Sequence, residues 1–152
     1  MHVDQLGRGE LVAVVGSILL AVCLFLPWYE TAPDNPNAVI DGVRGALSGW
    51  EVHTTVRWLL LAAAAAPLIL IWIVIREHEL SWPRGELTAV AAIAAFGIVA
   101  YIGLLDRPGT PSGEISLQPG YFGALLGTIA MIAGGAISAG QTERTRKPPG
   151  VL

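Results

Sequence analysis

Four apolar runs alternate with polar segments along the chain, and none carries a charge in its middle. They are Leu11 to Tyr29, Leu59 to Ile75, Leu87 to Leu105 and Tyr121 to Gly140. A helix needs about 20 residues to cross the hydrocarbon core of a bilayer. The pattern therefore predicts four spans at about 10–28, 55–76, 86–105 and 119–140, outer loops at 29–54 and 106–118, and a disordered tail over 141–152. The expected fold class is an all-α membrane protein, an up-down-up-down four-helix transmembrane bundle with one long outer loop. It forms a single domain, because no polar segment is long enough to build a core of its own.

Pro27–Arg57 is the long polar stretch in this pattern. Its first half is turn-rich, with Pro33, Asp34, Asn35, Pro36 and Asn37. The segment from Ala38 to Leu47 suits a short strand pair or a helical turn around Asp41-Gly42. Ser48-Gly49-Trp50-Glu51 then has the spacing of a capping box, in which Ser48 accepts from the amide of Glu51 and Glu51 reaches back to the amide of Ser48. A helix is expected to start there and run through Arg57 and Trp58 into the second span, with Trp50, His53 and Arg57 on one face. Pro67 removes a backbone hydrogen bond in mid-span and is expected to kink that helix. Ser81-Trp82-Pro83 fits a chain reversal, and Ile115 to Leu117 a brief extended piece.

Composition supports the membrane class. Of the 152 residues, 53% are hydrophobic and 14% charged, against about 25% charged in soluble domains. Mean hydropathy is +0.60. The net charge of -3 comes with no basic patch, which argues against nucleic acid as a partner. Cys23, the single cysteine, cannot form an internal disulfide and reads as a small buried hydrophobe. The first run is not followed by an A-x-A cleavage site, and Val22 departs from the small residue a lipoprotein box wants before its cysteine. It is therefore read as a span.

Arg8, Arg76, Arg84, Arg144, Arg146 and Lys147 fall on one side of the expected topology, and Arg44, Arg57 and Arg107 on the other. The bias predicts a multi-pass plasma-membrane protein with both termini cytoplasmic. Two features bear on packing. Arg8-Gly9-Glu10-Leu11-Val12-Ala13-Val14 matches Arg84-Gly85-Glu86-Leu87-Thr88-Ala89-Val90 at every position but the fifth. Either a duplicated hairpin or shared preferences of an inner helix end would produce it. Small residues recur at Gly123, Gly127, Gly135 and Ala139 in the fourth run and at Ala13, Ser17 and Ala21 in the first, the spacing that lets helices approach in lipid.

The chain has no phosphate loop, no H-E-x-x-H and no Cys–His cluster. His2, His53 and His78 are far apart, so no metal set, cofactor or catalytic residue is expected. The spans hold no ionisable group, which argues against an ion-coupled pump. The candidate site is the outer headgroup plane, where Trp28, Trp50, Glu51, His53, Arg57, Asp106 and Arg107 are expected to bind a lipid headgroup or a partner loop. Each also has a simpler role: tryptophans as interfacial anchors, Arg57 snorkelling, Glu51 capping a helix.

L-F-L-P-W-Y at 24–29, S-G-W-E at 48–51, L-L-D-R-P-G at 104–109 and I-S-L-Q-P-G-Y-F-G at 115–123 together resemble a family of small four-helix integral membrane proteins from actinobacteria. The resemblance covers most of the chain and implies four spans, with no established activity to carry over. The spacing of Trp28 and Trp50 is also similar to the paired tryptophans in the first outer loop of claudin-type proteins, although the paired cysteines of that loop are absent. The expected function is that of a non-enzymatic scaffold or accessory subunit, meeting a membrane-protein partner, a second copy or lipid through its outer loops. The alternative is a component of a small oligomeric channel or transporter. An enzyme acting on lipid through Glu51, His53 and Asp106 is a third class.

Overall fold

A computed structural model describes residues 7–76 and 84–146 of the chain. The expected reversal at Ser81-Trp82-Pro83 lies outside the described residues. The protein is mostly helical. In order it comprises α1 (Arg8–Leu24), β1 (Pro27–Thr31), β2 (Ala46–Ser48), α2 (Gly49–Val52), α3 (Val56–Ile75), α4 (Arg84–Ala100, prolonged by a π-helical turn Tyr101–Leu105), β3 (Ile115–Leu117) and α5 (Pro119–Arg146). Among the described residues three helices are long and apolar enough to cross a membrane: α3, α4 with its π turn, and α5.

Four expectations need correction. The fold is not all-α, because β1, β2 and β3 form an antiparallel sheet in the order β2-β1-β3. The first helix ends at Leu24 rather than near residue 28. Pro27 has no amide to continue a helix and biases the residue before it toward extended backbone, so the chain leaves α1 and enters β1 directly. The capped helix at Ser48 lasts one turn. It stops at His53 and α3 starts afresh at Val56. At the other end of the chain, α5 continues to Arg146, past the expected helix end at 140.

Two local signals are realised. Asp41 and Gly42 both have positive φ, 48° and 79°, and Ile40 pairs with Val43 across them. This is the left-handed pair that a tight hairpin demands and that Asp-Gly supplies. Ile115–Leu117 is extended and pairs with β1, Tyr29 facing Leu117.

α5 lies against both α1 and α4, and α3 packs against the same two helices. The repeated heptad explains how. Gly9 and Ala13 of α1 meet Gly134 of α5, while Gly85 and Ala89 of α4 meet its neighbour Gly135. A β-carbon at Gly134 would lie 2.6 Å from the Gly9 carbonyl oxygen, and one at Gly135 would lie 2.8 Å from that of Gly85. Two turns further along, Gly16 and Gly127 repeat the arrangement, each closed by the other's carbonyl oxygen at 2.6 and 2.8 Å. Backbone thus runs against backbone, as expected where lipid offers no hydrophobic gain and contact distance decides association. The matching heptads act as two copies of one packing surface, docked on adjacent glycines.

The sheet gathers helix ends at the opposite pole. β1 leaves α1, β2 leads through α2 to α3, and β3 leads to α5. The end of α4 is drawn in by side chains. Its loosened last turn leaves carbonyls without helical donors. Tyr29 Oη donates to the Ile102 oxygen at 3.3 Å, and Arg107 Nε to that of Gly103 at 3.2 Å.

Candidate functional site

The seven candidate residues all lie at the sheet end, yet they separate into a buried group, a surface clamp, a loop pair and the capping residue Glu51. Trp28 departs furthest from its expected role as an exposed anchor, with 0% of its surface accessible. Its indole Nε1 donates to the Cys23 carbonyl at 2.7 Å, a second donor to an oxygen at the helix end that also accepts from the Leu26 amide at 3.1 Å. Gly49 lies flat on the indole, where a β-carbon would come within 2.6 Å of the ring. The glycine of S-G-W-E is therefore needed for clearance above Trp28. Tyr121 meets the same indole edge-on, with ring centroids 5.8 Å apart.

Tyr29 is buried beside Trp28. Successive strand residues face opposite sides of a sheet, so the burial of both needs cover on two faces or a bulge. The pairing with β2 slips between Pro27 and Tyr29, as a bulge does. His53 occupies the break between α2 and α3, and its Nε2 is 2.9 Å from Tyr29 Oη. Because that hydroxyl also donates to Ile102, the consistent pattern has His53 Nε2–H donating to Tyr29. Burial holds the His53 pKa below its ordinary value, against the opposing pull of Asp106 and Asp41. Burial raises the Tyr29 phenol as well, aided by Tyr121. Both groups are thereby kept neutral.

The clamp is on the surface. Arg57 sits over the Trp50 ring, its guanidinium carbon 4.8 Å from the centroid, and 5.6 Å from that of Trp58. Its Nη1 donates to the Trp50 carbonyl at 3.1 Å. Trp50 in turn packs on Phe25 at 4.9 Å and on Trp58 at 5.2 Å. Glu51 takes no part in this group. Its carboxylate accepts from the Ser48 amide and hydroxyl at 2.9 and 2.7 Å, and its own amide donates to Ser48 Oγ at 3.2 Å. These bonds complete the capping box and hold the Glu51 pKa below the usual carboxylate range.

Arg107 ties two elements together, since Nη1 also donates to the Ile115 carbonyl of β3 at 2.8 Å. It lines two shallow open grooves, one with Glu30, Pro33 and Glu114, the other with Asp106, Ser112 and Gly113. Trp28, Trp50 and Asp106-Arg107 consequently do not form one rim. The expected shared face of Trp50, His53 and Arg57 also divides, with His53 turned to Tyr29 and the other two stacked outward. Glu51 is held by Ser48 and His53 by Tyr29.

Phe25, Tyr29, Trp58 and Tyr121 belong to the site and were absent from the sequence-based set. Aromatic residues flanking an apolar run look alike whether they anchor in lipid or fill a core. Only the long-range strand pairing decides between the two. Matched against protein-family models, curated proteins and solved structures, the chain finds no counterpart in any of the three.

Proposed function

We propose that the protein is a four-span plasma-membrane protein with cytoplasmic termini, whose sheet-bearing end is a non-enzymatic docking platform on the outer side. It serves there as a scaffold or accessory subunit for a protein or lipid partner. The observation that carries this reading is the rigid tethering of the polar loops. β1, β2 and β3 link the ends of α1, α3 and α5, Arg107 and Tyr29 hold α4, and a Val39–Thr110 bridge joins the two long loops. Such pre-organisation lowers the ordering cost of binding.

The apolar exteriors of the helices favour a membrane setting. Two Arg–Trp pairs bracket α3, Arg57 with Trp58 and Arg76 with Trp72, and both indoles are more than half exposed, at 57% and 58%. At 1.5 Å per residue Arg57 and Arg76 are separated by about 28 Å along the helix, close to the roughly 30 Å hydrocarbon thickness. α1, though 17 residues long, reaches the same depth because Phe25 and Leu26 continue its apolar face. A channel component is the weaker reading. The cavity between the four long helices, lined by Glu10, Pro67, Thr88 and Ser138, is about 20 Å³, room for one water.

Affinity purification from native membranes in mild detergent tests the platform. A stoichiometric protein or lipid partner is expected, lost on substitution in the Arg107 grooves or the Arg57 clamp. Recovery of the chain alone and delipidated would overturn it. Labelling of a cysteine introduced at Asn37 tests the orientation, with reaction expected from the outer side only.

A further inference from the structure

We propose that Arg57, stacked against the indoles of Trp50 and Trp58, binds the phosphate of an outer-leaflet phospholipid. The proposal rests on the orientation given above and goes beyond it in naming the ligand and the residue. Arg57 is half-buried. Among the described residues its hydrogen bonding is limited to the Trp50 carbonyl, and its Nε is buried without a partner. A guanidinium removed from water calls for an anion. The adjacent acid, Glu51, turns its Oε2 to Ser48, and among the described residues Arg57 makes no ion pair. Both indoles lie on one side of the cation, their centroids 5.2 Å apart, and with Nη1 turned to the Trp50 carbonyl the guanidinium keeps Nη2 for a phosphate oxygen.

The surroundings select a lipid over a soluble anion. Trp58 and Phe25, beside the guanidinium, are both 57% exposed, and Val22 and Leu59 extend the apolar surface along α1 and α3. Acyl chains lying on that surface would bring their own phosphate to the level of Arg57.

Native mass spectrometry of the detergent-solubilised full chain, titrated with phosphatidylglycerol, tests the site. Arg57→Gln should weaken binding about tenfold, the effect of losing charge-assisted hydrogen bonds. Arg57→Lys, which keeps the charge without the fork, should fall between. Arg44→Gln removes the same charge from the exposed outer loop and should bind as wild type. Diacylglycerol, lacking phosphate, and millimolar inorganic phosphate, lacking chains, should both fail to displace the lipid. Wild-type affinity in both Arg57 variants would overturn the proposal, as would equal loss in Arg44→Gln. Displacement by inorganic phosphate would replace the lipid with a free anion as ligand. The Asn37 cysteine separates this from the orientation: outer labelling with unchanged lipid binding removes the phosphate site alone, whereas cytoplasmic labelling removes the orientation on which it rests.

Discussion

The two ends of the helix assembly solve one packing problem in opposite ways. At the end away from the sheet, α1, α4 and α5 meet through Gly9, Gly85, Gly134 and Gly135, with main chain against main chain. At the sheet end the space is filled by Trp28, Tyr29 and Tyr121, the largest fully buried side chains among the described residues. Close approach works where the partners are regular helices whose backbone groups are already satisfied. It fails where helices stop, because the last carbonyls there need donors. The aromatic residues supply both volume and donors: the Trp28 indole serves Cys23 and the Tyr29 hydroxyl serves Ile102. Small residues hold the helices together, and large amphipathic ones finish them.

The contrast can be broken from either side. The largest effect is expected at Gly127. Replacing it with Leu drives a side chain into the backbone of α1 at Gly16 and Leu20, and the helices must separate. A loss of more than about 4 kcal/mol is expected, seen as collapse of the cooperative thermal transition in detergent. Trp28→Ala should cost about 3–5 kcal/mol but act locally, erasing near-ultraviolet circular dichroism while leaving far-ultraviolet helicity nearly intact. Equal loss of both signals would show that the two ends are not separable. Ser48→Ala removes the cap on α2 and should cost about 1 kcal/mol, measured by the same melt.

The smallest effect is a pH dependence confined to the sheet end. The folded-state pKa of His53 is lowered by burial, so the unfolded chain takes up a proton that the folded chain refuses. Stability is therefore full above the unfolded value near 6.5. It declines as pH falls through that value and levels off below the folded pKa. His53→Gln should flatten this profile in thermal melts between pH 7.5 and about pH 5. A profile unchanged by the substitution would assign the dependence to another group.

What could be read from the sequence was local or periodic. The Ser48–Glu51 capping box, the Asp41-Gly42 turn and the extended Ile115–Leu117 each depend on residues a few positions apart. The apolar runs of α3, α4 and α5 declared themselves by length. The sheet did not, since β1 pairs with strands far along the chain and its two aromatics look like the end of a span. The same limit applied to the site. Trp50 and Arg57 stack as a helical spacing suggests. His53 was assigned to their face because the break before Val56 has no local signature beyond the β-branched pair Thr54-Thr55. The matching heptads were visible, but their meaning was not, because Gly134 and Gly135 lie far away on α5.

Those two adjacent glycines also order the protein's assembly in time. Synthesis delivers α1, α3 and α4 first, and the packing faces of α1 and α4 then have nothing to close on. The third strand arrives with residues 115–117 and the helix that joins both faces arrives last. Until then the faces of α1 and α4 that α5 covers stay open. The final quarter of the chain acts as the keystone, completing the sheet and locking the helices in one step.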